Sequence, residues 1–159
     1  VTVQTYIVYG NGPDDPSDGD HLSTAEQIAG QPGSVSRLCL SCHDGTVAVN
    51  EYGFDPGSPD SRGAADAFIA DQYAIGANGD LFNHHPIGFD YDTAAAADNE
   101  IADGTTAIGS NTIGELLWAG KMECSTCHDV HNTENTGEKF LWVSDQNSAF
   151  CCTCHLKCN

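Results

Sequence analysis

Positive charge is nearly missing from this chain: five Lys and Arg residues stand against 23 Asp and Glu among 159 residues, a formal net charge of -18. Nucleic acid is thereby excluded as a partner, because phosphate binding rests on clustered cations. Nor does any stretch approach the roughly 20 consecutive apolar residues of a membrane-crossing helix. The chain begins at Val1 and carries no basic leader followed by an apolar run, so the expectation is that a signal peptide has been removed. Material for a large regular core is also short, with 40% hydrophobic residues diluted by 17 Gly and 6 Pro. The expected fold class is therefore mostly irregular and loop-rich, with short helices and minimal strand, in a single domain over 1–159.

Cysteine is what the chain has in excess. "CLSCH" places Cys39, Cys42 and His43; "CSTCH" places Cys124, Cys127 and His128; "CCTCH" places Cys151, Cys154 and His155. Two thiols separated by one short turn can add to the two vinyl groups of a haem while the adjacent imidazole reaches its iron. Zinc or thiol redox chemistry would use the cysteine pairs without requiring a histidine after each second one. Three repetitions of C-x-x-C-H point to three c-type haems, whose apolar faces would supply the core that the polypeptide lacks. Cys152 and Cys158 remain over, and their expected fate is a disulfide across the last haem turn, with an intermolecular bridge as the alternative. Thioether attachment and a disulfide both belong to an oxidising compartment outside the cytoplasm.

Each iron takes one histidine from its own motif, which leaves His21, His84, His85 and His131 as candidates for three distal positions. His131 lies three residues after His128, on the same side of a turn, and so should reach a different haem. In "FNHHPIGF", Pro86 biases His85 toward extended backbone, where His84 and His85 point to opposite sides and could serve two haems. His131 ranks first, then His85, then His21 and His84. Arg37, Lys121 and Lys157 flank the motifs and are candidates to neutralise propionates, against the alternative of ordinary surface charges.

The rest of the sequence divides into 1–30, 31–110 and 111–159. Residues 1–9, "VTVQTYIVY", alternate as a strand with no evident internal mate. Asp14, Asp15, Asp18 and Asp20 form either a solvated acidic turn or a calcium site out of EF-hand register. Ser23 and Glu26 make a capping box for a short helix behind His21. Residues 63–76 and 113–120 could each hold a short helix, and 91–104 is ambiguous between helix and loop.

"LCLSCHDGTVA", "NHHPIGFDYDTA", "MECSTCHDVHN", "FLWVSD" and "FCCTCH" together resemble the multihaem cytochromes with doubled C-x-x-C-H sites, exported electron carriers that include extracellular filament-forming members. The resemblance spans residues 38–155 and implies bis-histidine haems with His85 and His131 as distal ligands. It implies assembly with copies of itself in an extracellular or cell-surface filament, in which His21 is the candidate to ligate a neighbour's haem. Three motifs are fewer than in the known filament formers. A monomeric periplasmic shuttle handing electrons to redox partners is the alternative. A haem reductase would need one open iron position, which four distal candidates for three irons make unnecessary, so the chain is expected not to be an enzyme.

Overall fold

The computed structural model describes residues 31–47, 68–82, 84–131 and 140–158. The expected strand at 1–9, the acidic turn at Asp14 to Asp20, His21 and the helix behind it lie outside these residues. Within them the fold is loop-rich, with five short α-helices and one two-stranded sheet.

Helix α1 (Ser34–His43) carries the first C-x-x-C-H in its last turn. Residues 63–76 were expected to hold a short helix, and the described part contains only a 3-10 turn at Asp71–Tyr73. The ambiguous segment 91–104 resolves into α2 (Tyr91–Ala97), started by the Asp90 carboxylate, which accepts from the Thr93 N–H at 2.9 Å. Four consecutive alanines favour the helix, and Asp98 ends it in extended backbone. A minimal antiparallel hairpin follows, β1 (Ala107–Ile108) paired with β2 (Asn111–Thr112), turning through Gly109 at φ +60. Thr112 and Glu115 cap α3 (Ile113–Leu116) reciprocally, which makes the expected turn of helix in 113–120. The second and third C-x-x-C segments are single turns, α4 (Cys124–Cys127) and α5 (Cys151–Cys154).

Phe89, Tyr91, Ala94, Ala102, Ile108, Ile113, Leu116 and Met122 form the main core, and Leu40 and Leu81 a smaller one beside α1. Both are small because most of the joining is done by backbone. Met122 N–H donates to Phe89 at 3.0 Å, Gly88 N–H to Met122 at 2.7 Å and Tyr91 N–H to Gly120 at 3.0 Å, clamping the His-His-Pro segment to the approach to α4. Among the described residues no helix is long and apolar enough to cross a membrane.

The caps make a pH prediction. Bonds from Thr93 hold the Asp90 carboxyl below its ordinary 3.8, and bonds from Thr112 hold Glu115 below its ordinary 4.5. A depressed folded value means that the stabilisation is complete above the ordinary value and is lost as pH falls through the folded one. The difference in Tm between the protein and its Glu115→Gln variant should therefore be full at about pH 6 and close progressively below pH 4.5. A gap that widens in acid would contradict the capping assignment.

Candidate functional site

The third C-x-x-C-H turn is held by its exit. After α5 the backbone at His155 becomes extended, and it pairs with a distant segment: Ala102 N–H donates to Cys154 and Leu156 N–H to Glu100, each at 2.8 Å. This bridge sets His155 at the wall of a cavity of about 390 Å³. Phe89, Tyr91, Ile113, Leu116, Met122 and Phe150 give the cavity its apolar lining, and Cys151 and Cys154 line it as well.

His85 lines the same cavity, with its ring centre 6.2 Å from that of His155 and the planes at 62°. Metal–imidazole bonds are about 2 Å long. Two imidazoles that share one ion from opposite sides have ring centres about 6 Å apart, and the spacing of this pair matches that distance. A carbonyl only accepts, so His85 Nδ1–H donates to the Pro86 oxygen at 2.9 Å and leaves Nε2 with the free electron pair. His85 keeps accessible surface because the cavity is open, yet the surrounding protein desolvates its ring. That desolvation holds its pKa below the ordinary 6.5 against the opposing Pro86 bond, and His155 adds repulsion.

Tyr91 closes the floor, 1% exposed, with its hydroxyl donating to the Ala102 carbonyl at 2.8 Å. Burial raises its pKa, with the neighbouring Cys154 adding to the effect. At the rim, Lys157 forms an ion pair with Glu100, and both line the cavity.

The second motif shares this wall. Cys127 lines the cavity, and burial, together with nearby Cys154, pushes its thiol up to about 12. His128 leaves α4 in extended conformation and bridges Leu141. Around it, Trp142 N–H donates to the Cys127 carbonyl at 3.2 Å, and the Trp142 indole to the Ser125 carbonyl at 3.0 Å.

The first motif lies on α1, which contacts α4. The His43 carbonyl accepts from Ile75 N–H at 2.8 Å, and the next amide, Gly76 N–H, donates to His84 Nε2 at 3.2 Å. His84 and His85, adjacent in sequence, thus belong to two neighbourhoods, the first beside His43 and the second opposite His155. Helix α1 packs on α4, and Cys39 and Cys124 are close enough to interact.

Other sequence candidates are distributed less tightly. His131 is exposed, with its N–H donating to Asp129 at 3.0 Å, and it does not line the cavity. Arg37 donates through Nε to the Pro32 carbonyl at 2.9 Å, and Lys121 through Nζ to Gly88 at 3.3 Å, so Lys157 is the member of that trio at the cavity. Among the described residues no three His, Cys, Asp or Glu side chains gather as a direct metal cage. Sequence reasoning did not single out Tyr91 or Glu123. Tyr91 carried no local signal, whereas Glu123, immediately before a C-x-x-C turn, could have been read as its cap.

Cys152 and Cys158 are joined in a disulfide with Cα atoms 5.3 Å apart, enclosing Cys154 and His155. Closing so short a loop is worth about 2 kcal/mol on chain-entropy grounds. The double variant Cys152→Ser, Cys158→Ser should lose about that much stability in denaturant titration. Unchanged stability would mean that the bridging to Glu100 and Ala102 alone holds the turn. Comparison of the chain with protein-family models, curated proteins and solved structures finds no match.

Proposed function

We propose that this protein is a trihaem c-type cytochrome that carries electrons by haem-to-haem hopping, as a subunit of an extracellular conductive filament. The observation that carries the reading is the opposition of His85 and His155 across an apolar cavity lined by Cys151 and Cys154. The cysteine pairs 39/42, 124/127 and 151/154 anchor the three haems. His43, His128 and His155 are the proximal ligands. His85 completes the third site, and His84, His131 and His21 remain for the other two. Bound there, haem supplies one-electron exchange at its iron.

The polypeptide wraps these groups around a small core of its own. It contributes the apolar walls, the Pro86 carbonyl that orients His85, and Lys157 at the rim for a propionate. Held by His155 and His85 together, a haem would favour its oxidised state and would offer a substrate no coordination position, which suits electron transfer rather than catalysis. Cys127 and Cys154 on one cavity, and Cys39 beside Cys124, support close spacing along a chain of sites. Leu38, Tyr73, Val130 and Trp118 expose apolar surface among the described residues, which contact with further copies would cover.

Intact mass of the native protein should exceed that of the polypeptide by three haems, with an absorbance spectrum of thioether-linked low-spin haem. His85→Ala should keep all three haems but turn one of them high-spin. Retention of three low-spin haems would remove His85 from the ligand set. Negative-stain electron microscopy with haem absorbance followed through the same fractions should show thin haem-containing fibres. Haem eluting only at monomer size would sink the filament and leave a soluble shuttle, whose acidic surface would dock basic partners.

A further inference from the structure

Glu123 is a buried ionisable group that the ligand scheme leaves without a task. It is 1% exposed and lies between the first motif helix and the second. Its carboxylate accepts from the Gly33 N–H, at 2.9 and 3.2 Å to its two oxygens, and from the Ser36 hydroxyl. It also caps its own turn by accepting from the N3 amide at Thr126. Ser36, fully buried, has its oxygen occupied by the Cys124 N–H at 2.9 Å, which leaves its hydroxyl proton to point at Glu123. These partners are neutral donors, as an ionised carboxylate requires. Space is matched just as closely, because a Cβ added at Gly33 would collide with Oε1.

A charge buried without a cation is costly unless several donors hold it. Here the donors come from two segments about ninety positions apart, each carrying one C-x-x-C-H. From this arrangement we infer that Glu123 is a positioning residue that fixes the first haem site against the second and keeps one negative charge at their junction. The inference rests on the trihaem reading. Its geometric half follows from the clamp joining Gly33 and Ser36 to the residue before Cys124. Its electrostatic half follows from sign: a negative charge stabilises oxidised iron nearby, and this one sits in the contact between the first motif helix and the second. The clamp therefore holds the sites beside it at lower potential than they would otherwise have.

The test uses the haem-loaded full chain with three substitutions, Glu123→Gln, Gly33→Ala and Ser36→Ala, each first checked for three bound haems. Glu123→Gln removes the charge with little change of shape. Spectroelectrochemical titration should then show at least two midpoints moving positive. Gly33→Ala keeps the charge but displaces the Glu123 carboxylate from the Gly33 amide, loosening the clamp, so the haem–haem exciton couplet in Soret circular dichroism should change. Ser36→Ala, which deletes one donor and keeps the charge, leaves both readouts available if either of the others fails to fold, and should alter the couplet in the direction of Gly33→Ala to a smaller extent without the positive shift of Glu123→Gln. A lower Tm with potentials and couplet unchanged would reduce Glu123 to a structural residue and overturn the inference. A native protein without haem would instead sink the reading beneath it, and this inference with it.

Discussion

The histidine of each C-x-x-C-H turn is tied to a remote segment by its backbone, and the rest of the structure depends on those ties. His155 pairs with Ile101, His128 with Leu141, and the His43 carbonyl takes the Ile75 amide. A one-turn helix such as α4 or α5 has no independent stability, since helix nucleation costs more than one turn returns. The main-chain bonds on its exit fix where the adjacent imidazole goes. They also satisfy backbone groups that a loop-rich chain would otherwise leave unpaired near a cavity.

Placing the fixing bonds in the main chain frees the side chains for other work. Phe89, Tyr91 and Met122 lie in the segments whose amides clamp 88–91 to 120–122, yet their side chains build the cavity wall. The same separation of duties appears at His85, where Pro86 supplies both the extended backbone and the carbonyl that orients the ring. One short stretch of sequence thus sets direction, tautomer and wall together.

Local signals in the sequence were informative where the structure is local. The three motifs, the Cys152–Cys158 pair and the single turn at Ile113–Leu116 were legible because a few neighbouring residues determine each of them. Helix α1 was not, and the reason is physical: Gly33 offers no capping side chain, and its amide is satisfied by Glu123 from ninety positions away. The 3-10 turn where a helix was expected, and the hairpin at Ala107–Thr112, are similarly set by what they pack against. Spacing alone could not see that the 100–102 bridge would bring His155 within 6.2 Å of His85, because the two lie 70 positions apart.

The cavity has two parts separated in the chain, one built from residues 85–127 and the other from 150–157. A ribosome delivers the first part well before the second. Until Phe150 and the turn behind it arrive, the nascent chain presents an apolar concavity with no lid, the kind of surface on which chaperones act and aggregates start. Truncation between residues 127 and 150 would make that exposure permanent. The Ile101–His155 bridge therefore forms only once both parts of the wall have been made.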